Sequence, residues 1–331
     1  MIIQKPSYQI YLDAKQLLIG WDLVAFPTET VYGLGANALD ILAVKKIFET
    51  KKRPQRNPII VHVGSIDQIG EYAEIISPLE EKIINTLMPG PITLLLKKKK
   101  IISDIVTAGS EFVGIRIPSN KVALDFLQTV ELPIAAPSAN ISTKPSPTSA
   151  QMVESYFHET VPMIIDGGAC DVGIESTVVK VEWSRVVITR PGFITAEDIQ
   201  SLFPENIQVE YAKSISEITP WNMFKHYSPN AKIQLLQNIN QIPFPLSNSK
   251  TAILVTQERI DDHKDRVDEF LAQGGILYLR WTKASLITCA KTLFSFYHQA
   301  DKDHISHLFV EPLEEKGLGY AIMNRVKKST E

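Results

Sequence analysis

Short apolar runs alternate with amphipathic stretches along the first 203 residues. The amphipathic stretches have helical periodicity, and they predict helices over 10–19, 40–51, 66–76, 79–88, 120–130, 149–157 and 195–203. The apolar runs are rich in Val, Ile and Leu, and they predict strands over 23–26, 58–63, 91–96, 113–118, 133–137, 163–168, 176–182 and 185–190. Helices between strands indicate a layered α/β domain. The strand pairs 91–96/113–118 and 176–182/185–190 leave no room for a helix of useful length between them, so the sheet should be mixed and, like other sheets, twisted.

Residues 204–232 lose this rhythm and are typical of a long connector. A second α/β pattern of about 100 residues follows, with strands near 233–237, 251–257, 276–280 and 304–311 and helices near 261–273, 284–299 and 318–329. The predicted domains are 1–204, a linker over 205–232, and a smaller Rossmann-like α/β domain over 233–331. Connectors of this length often act as lids, and we expect that role here.

Composition narrows the functional classes. Hydrophobic residues make up 44% of the 331 residues, the two cysteines fit no disulfide framework or metal-ligand spacing, and no window is apolar enough to span a membrane. Residues 1–205 carry 19 Lys and Arg against 23 Asp and Glu, a net charge of −4 that does not favour nucleic-acid binding. The N-terminus does not resemble a signal peptide, so we expect a cytoplasmic protein.

The stretch YGLGANA contains Gly33-x-Gly35-x-x-Ala38, which on its face is a dinucleotide-binding fingerprint. The fit is poor because Pro27 and further residues separate the preceding strand from Gly33. The glycines could serve only a tight loop. Alternatively, the loop is functional, since Thr28, Glu29, Thr30 and Tyr32 present four polar groups at the end of a strand, where ligands of open α/β sheets gather.

Cations recur at several points of the predicted sheet. The segment KKRPQRNP, residues 51–58, is either a solvated charge run or a phosphate-binding loop. Arg116 lies inside an apolar strand and therefore needs an anionic partner, from the protein or from a ligand. Arg190 repeats this pattern at another strand end. The lysines at 97–100 suit a solvated face, with phosphate or RNA contact as the lesser alternative, and His62 could be a core histidine.

Small polar residues lie at the end of one predicted strand and at the start of another. Ser138 and Asn140 alternate after the strand 133–137, so their side chains should point to the same side. The Gly-rich stretch before Ser176 could form an anion nest or an ordinary hairpin approach. No nucleophile triad, metal cluster or Walker loop accompanies these groups. The set favours a polyanion bound beside a small polar molecule, with catalysis by positioning and electrostatics.

Ordered motifs along nearly the whole chain resemble the threonylcarbamoyl-AMP synthases, which have a YrdC-like domain and, in long forms, a C-terminal domain. They are FPTETVYGLGANA, KKRPQRNPIIVHV, MPGPITLLL, VGIRIP, APSANISTKPSPT, GIESTVV, ITRPG, HYSP and GLGYAIMNR. The resemblance implies a nucleotidyltransferase that converts L-threonine, bicarbonate (or carbon dioxide) and ATP into L-threonylcarbamoyl-AMP and pyrophosphate. The product would pass to the machinery that modifies tRNA, with direct tRNA binding weak or absent.

The resemblance also implies residue roles. The threonine side comprises Thr30, His62, Arg116, Ser138 and Ser176. The nucleotide side comprises Lys51, Arg53, Asn57, Asn140, Thr148, Arg190 and Tyr227. Lys52 departs from the pattern, because the family often has glycine at that position. Mg²⁺ is expected with ATP, held mostly by phosphate oxygens and water because no carboxylate cluster is evident.

Two rival functions share parts of this pattern. A non-catalytic RNA-binding module is one, since YrdC-like domains have been linked to RNA, but the net charge of residues 1–205 argues against it. A carbamoyl-transfer enzyme of hydrogenase maturation is the other. Such enzymes carry additional acylphosphatase-like and zinc-finger regions, for which this chain has neither the cysteines nor the length.

Overall fold

Two separate β-sheets organise the chain in the computed structural model, which describes residues 2–203, 207–213, 227–242, 250–282 and 285–330. The residues form two compact units. The first unit comprises Met1–Ser142 with Ser146–Phe224, and the second comprises Thr143–Pro145 with Lys225–Glu331. The short piece 143–145 thus belongs to the second unit, although it interrupts the sequence of the first.

The first unit contains a mixed sheet flanked by helices. Its strands are β1 (Ile2–Gln4), β2 (Val24–Phe26), β3 (Gly33–Asn37), β4 (Val61–His62), β5 (Ala73–Glu74), β6 (Ile92–Lys98), β7 (Phe112–Arg116), β8 (Ile134–Ala135), β9 (Met163–Ile165), β10 (Thr177–Glu182), β11 (Arg185–Arg190) and β12 (Gln208–Tyr211). Its helices are α1 (Tyr8–Ile19), α2 (Ile41–Lys51), α3 (Ile66–Tyr72), α4 (Pro78–Leu87), α5 (Asp104–Thr107), α6 (Lys121–Val130), α7 (Ala150–Phe157) and α8 (Ala196–Leu202).

The strand order confirms the predicted mixed sheet. It runs β1-β9-β2-β3-β8-β4-β7-β6-β10-β11-β12, with β5 pairing β6 off this path. Antiparallel neighbours such as β6–β7 and β10–β11 are the pairs for which the sequence left no room for a helix of useful length, and only the four-residue α5 lies between β6 and β7. Other neighbours, such as β4–β7 and β6–β10, pair in parallel.

Helix caps explain where the predicted helices begin. The Asp40 carboxylate accepts hydrogen bonds from the backbone N–H groups of Leu42 and Ala43 at the start of α2. Thr195 and Asp198 form a reciprocal capping box at the start of α8. Each arrangement satisfies backbone donors that a helix N-terminus leaves without an intrahelical partner, so the polar residue fixes the boundary.

The interpretation of YGLGANA as a loop is wrong, because Gly33–Asn37 form strand β3 between β2 and β8. A Cβ atom on Gly35 would lie 2.7 Å from Cγ2 of Ile134 and 3.0 Å from the ring of Phe26. Glycine is required there because neighbouring side chains close over the backbone. A strand at this place also removes the dinucleotide fingerprint, which needs a turn into a helix.

The predicted connector is partly wrong. Residues 208–211 are not irregular, because β12 pairs in parallel with β11 and extends the first sheet. Residues 204–206 and 214–226 lie outside the described residues, and so does most of the predicted lid. The domain limits at 204 and 232 therefore stay predictions.

The second unit has a four-stranded parallel sheet, in agreement with the predicted smaller α/β domain. Its strands are β13 (Lys232–Leu235), β14 (Thr251–Thr256), β15 (Ile276–Trp281) and β16 (His307–Val310), in the order β13-β16-β14-β15. Its helices are α9 (Gln257–Asp262), α10 (Lys264–Ala272), α11 (Leu286–Lys302) and α12 (Leu318–Thr330). None of the helices in the described part of either unit is both long and apolar enough to cross a membrane.

Candidate functional site

A tight turn after β2 fixes the first group of site residues. The hydroxyl of Thr28 accepts hydrogen bonds from the backbone N–H groups of Thr30 and Val31, both at 3.2 Å, and donates to the carbonyl of Val31 at 2.6 Å. The carbonyls of Glu29 and Thr30 accept hydrogen bonds from Val172 N and Gly173 N on another loop. Glu29 and Thr30 are therefore buried on a backbone that is held from both sides.

Arg116 ends strand β7 and is buried, with 4% of its surface exposed. Its Nη2 atom lies 2.8 Å from Oε1 of Glu29. The predicted anionic partner of this strand arginine is thus a glutamate of the same unit. Apart from this ion-pair contact, within the described part of the chain neither oxygen of Glu29 accepts a hydrogen bond, and neither Nε nor Nη2 of Arg116 donates one.

His62 lies directly opposite Arg116, in the neighbouring strand β4. Its imidazole contacts the ring of Phe26 edge-on, with 5.8 Å between the centroids. Burial, and then the positive charge of Arg116, lower the pKa of His62 to about 3. His62 is therefore a neutral hydrogen-bonding group at physiological pH, and its Nδ1 atom has no partner among the described residues.

Ser176 precedes β10 and is fully buried. Its hydroxyl lies 2.8 Å from that of Thr93 and 3.0 Å from Nη2 of Arg190. Arg190, at the end of β11, also donates from Nε and Nη2 to the carbonyl of Ser176, at 3.1 and 2.8 Å. The arginine thus holds the backbone and hydroxyl of Ser176 and places a positive charge close to His62.

Ser138 and Asn140 lie on the same side of their segment, as their alternation predicts. The Ser138 hydroxyl donates to Oδ1 of Asn140 at 2.5 Å. Lys51, at the end of α2, is buried, and its ammonium group donates to the carbonyls of both residues. Burial, and then the neighbouring Arg53, lower the pKa of Lys51 well below its usual value. In this structure Lys51 is used to hold the Ser-x-Asn segment.

The loop after α2 is shaped by its own cations. Arg53 donates from Nε to the carbonyl of Asn57 at 3.3 Å and from Nη2 to the carbonyl of Pro58 at 3.0 Å. Asn57 is buried. Lys52 has a φ of 51°, in the left-handed region that favours glycine, and this conformation fits the glycine that the resemblance implies at that position.

Two further predicted nucleotide residues have contacts of their own. Thr148 is buried before α7, and its hydroxyl lies 3.5 Å from the sulfur of Met152. Tyr227 belongs to the second unit, where its ring stacks on Phe294 at 5.2 Å and faces the guanidinium of Arg325 at 5.8 Å. The contact of Tyr227 with a nucleotide stays a prediction.

The structure brings together most of the predicted threonine side, and it adds a residue that the predicted site omits. Glu29 was noted only as one of four polar groups in its loop. The buried Glu175, which accepts a hydrogen bond from the hydroxyl of Ser146 at 2.6 Å, was seen only as part of the motif before Ser176. A glutamate between two threonines, directly after an apolar strand and a proline, is the signal that could have identified Glu29, because a buried carboxylate needs a partner.

The described residues also bear on metal and RNA binding. Among them, no group of three or more His, Cys, Asp or Glu side chains could hold a metal ion.

Three lysines of the basic run at 97–100 have partners within the protein. Lys97 lies 2.9 Å from Glu74, Lys98 pairs with Asp104, and Lys99 donates to the carbonyl of Gly70. These pairings weaken the case for RNA or phosphate contact by this run.

Comparison with known proteins covers both units. A family described as Telomere recombination, of the Sua5, YciO and YrdC proteins, matches residues 19–192. A second family, described as Threonylcarbamoyl-AMP synthase, C-terminal domain, matches residues 194–330. A threonylcarbamoyl-AMP synthase of Pyrococcus abyssi is 39% identical over 318 residues, which cover 93% of this chain and 90% of that protein.

Two further comparisons agree with these. A threonylcarbamoyl-AMP synthase of Bacillus subtilis is 36% identical over 332 residues, which cover 96% of this chain and 91% of that protein. The crystal structure of P. abyssi Sua5 complexed with L-threonine aligns with a TM-score of 0.82 at 33% identity and covers 100% of this chain and 98% of that one.

Proposed function

This chain belongs to the threonylcarbamoyl-AMP synthase family, and from that premise we propose how its residues carry out the reaction. The protein converts L-threonine, bicarbonate and ATP into L-threonylcarbamoyl-AMP and pyrophosphate. The observation that carries the proposal is the buried Arg116, held beside neutral His62 and Glu29. A buried guanidinium with donors to spare suits the carboxylate of an amino acid.

We assign the threonine side to the residues around Arg116. Arg116 binds the carboxylate, while uncharged hydrogen-bonding groups surround the rest of the molecule: Thr30, His62, Ser138 and Ser176. The nucleotide side comprises Lys51, Arg53, Asn57, Asn140, Thr148, Arg190 and Tyr227. Because Ser138 bonds Asn140, the two substrates would meet across that pair.

The chemistry needs positioning and charge more than a nucleophilic side chain. The amine of threonine captures bicarbonate as a carbamate, and a carbamate oxygen then attacks the α-phosphorus of ATP while pyrophosphate leaves. Both reactants are anionic, so Arg53, Arg116 and Arg190 offset their repulsion and the charge that develops on the leaving group. Mg²⁺ would enter with ATP, on phosphate oxygens and water, because the described residues offer it no carboxylate cluster.

The product is an activated carbamoyl group, and we propose that it passes to the machinery that modifies tRNA, in the cytoplasm. Direct tRNA binding is weak or absent in this proposal, because residues 1–205 carry a net charge of −4 and because Lys97 and Lys98 pair with Glu74 and Asp104. The first domain is the catalytic one. A truncated chain that tests this domain alone should end after residue 213 rather than 204, because β12 belongs to its sheet.

The test is pyrophosphate release by the purified chain without RNA. We expect release only when threonine, bicarbonate and ATP are all present. Equal release without threonine would refute the proposal. Release that requires RNA, or tight RNA binding without any release, would instead support the RNA-binding alternative.

A further inference from the structure

The carboxylate of Glu29 is a buried group whose hydrogen bonds are unfilled. Glu29 is 5% exposed. Apart from the ion-pair contact with Arg116, neither of its oxygens accepts a hydrogen bond within the described part of the chain. Leaving a buried carboxylate without hydrogen bonds is costly, and pairing with Arg116 at 2.8 Å compensates only its charge. The backbone that carries Glu29 is held on both sides, which fixes the position from which its side chain extends. Such an arrangement points to a ligand that supplies donors.

The charged surroundings of Glu29 are simple. Arg116 faces it from β7, and His62, beside Arg116 on β4, is neutral because its pKa is lowered to about 3. Cys170 faces it from the loop after β9, and burial, followed by the charge of Glu29, raises the pKa of that thiol, which therefore stays protonated. Asp171 also acts on Cys170. Arg116 is thus the cation that stands against Glu29.

The unfilled atoms complement a zwitterion. Beyond the contact between Nη2 and Oε1, Arg116 offers a donor at Nε and Glu29 offers an acceptor at Oε2. An α-amino acid carries an acceptor pair on its carboxylate and donors on its ammonium group. Resting on the proposed function, we infer that Glu29 binds the ammonium group of threonine and is the base that removes its proton.

The proton removal makes the amine reactive. One ammonium proton passes to an oxygen of Glu29, which frees the nitrogen lone pair. The nitrogen then forms a bond to the carbon of bicarbonate, and the C–OH bond breaks as the proton on Glu29 leaves with that hydroxyl as water. The new N–H₂⁺ group loses one proton to Glu29, which yields the carbamate, and Glu29 passes that proton to solvent. Threonine and bicarbonate thereby give carbamate, water and one proton.

A purely structural alternative is that Glu29 only orients Arg116. The two roles differ in what they demand of the ligand. If Glu29 orients Arg116, it matters equally for every ligand with a carboxylate. If it binds the ammonium group, it matters only for ligands that have one.

The first test compares threonine with 2,3-dihydroxybutanoate, in which a hydroxyl replaces the amine, by calorimetric titration. The wild-type chain should bind threonine about 10- to 100-fold more tightly. In Glu29→Gln this preference should shrink to within about threefold. Equal binding of the two ligands by the wild-type chain overturns the inference even if the variant does not fold. A Glu29→Gln variant that weakens both ligands equally assigns Glu29 to orienting Arg116.

The second test is the pH profile of threonine-dependent pyrophosphate release. Glu29→Gln should be about 100-fold slower than the wild type at pH 7, and the gap should narrow several-fold by pH 9 because free amine then forms without a base. A gap that is constant with pH overturns the inference.

Glu80→Gln is the matched control. Glu80 is also buried, but its carboxylate accepts backbone hydrogen bonds from Ile76 at 2.6 Å and Ser77 at 3.1 Å in a helix cap. Its profile should follow that of the wild type. Both tests presuppose that the wild-type chain releases pyrophosphate only with threonine and bicarbonate. If it does not, the proposed function fails, and if it does, a failure of these tests concerns Glu29 alone.

Discussion

Each unit of this protein pairs a buried glutamate with an arginine, and the two pairs are built differently. In the second unit, Oε2 of Glu311 accepts hydrogen bonds from the backbone N–H and the hydroxyl of Thr256, both at 2.8 Å, while Arg259 Nε lies 2.9 Å from Oε1. In the first unit, both members of the Glu29–Arg116 pair are buried, and apart from the 2.8 Å contact with Arg116 the described residues give neither oxygen of Glu29 a hydrogen bond.

This difference in hydrogen bonding separates a pair that stabilises the fold from a pair that is available to a ligand. Glu311 ties the start of α9 to the end of β16, so its Oε2 atom is used by the fold. Glu29 and Arg116 keep hydrogen-bonding capacity that the fold does not use. Buried polar groups are normally satisfied, so a pair that is not satisfied indicates a place where a ligand completes the structure.

Removing Glu311 should have the largest effect on stability. Glu311→Ala leaves Arg259 near an empty buried site and removes both hydrogen bonds to Thr256, so we expect the free energy of unfolding of the second unit to fall by about 3–5 kcal/mol. Chemical denaturation measures this. The KM for threonine of the folded fraction should not change. A loss below about 1 kcal/mol would show that this pair does not hold the fold.

Removing Arg116 should chiefly weaken the binding and use of threonine. Arg116→Ala deletes the proposed carboxylate clamp and leaves Glu29 unpaired, so kcat/KM for threonine should fall about 100- to 1,000-fold. Arg53→Ala should weaken the binding of ATP more than that of threonine, because Arg53 lies in the cationic loop that is proposed to bind the phosphates. Calorimetric titration of each ligand against each variant distinguishes these effects. Equal losses for both ligands in both variants would contradict the assignment.

Serine tests how closely the uncharged part of the site surrounds threonine. The two amino acids differ by one methyl group, which in a fitted site is worth about 1–3 kcal/mol, or roughly a 10- to 200-fold preference. Competition kinetics with both amino acids measures the ratio. A preference of several thousand-fold would require an editing step or a coupled closure beyond these contacts.

His62 should produce the smallest effect, on the pH dependence of stability. Its pKa in the folded chain is about 3, below the usual 6.5, so the unfolded chain binds more protons between these values and stability falls as pH decreases through that window. The wild type should lose about 1 kcal/mol relative to His62→Gln between pH 6.5 and 5.5. Identical slopes for the two proteins would show that His62 is protonated in the folded chain.

The sequence predicted the elements of both sheets better than the partners within them. Periodicity located the helices because each buries one face, and Asp40 and Thr195 marked two of their starts. It missed β3, because the glycines at 33 and 35 are typical of loops unless the packing of Phe26 and Ile134 against them is known. Local pattern carries no information on such long-range contacts.

The site divides in the same way. The sequence indicates that Arg116 needs an anionic partner, because it is a charged residue in an apolar strand. Only the register of β4 and β7 and the turn after β2 show that this partner is Glu29. Lys51 was predicted from a resemblance to contact the nucleotide. The structure adds that its ammonium group bonds the carbonyls of Ser138 and Asn140, a contact that no sequence pattern could show.

The most direct test of the difference between the two pairs is the shift in Tm that saturating threonine produces, measured side by side in wild type, Glu29→Gln and Glu311→Gln. A ligand at 100 times its Kd stabilises a protein by about 2.7 kcal/mol. We expect Glu29→Gln to lose most of the threonine-induced shift, and Glu311→Gln to start from a lower Tm but keep the shift. The opposite result, with the shift intact in Glu29→Gln and lost in Glu311→Gln, would contradict the account.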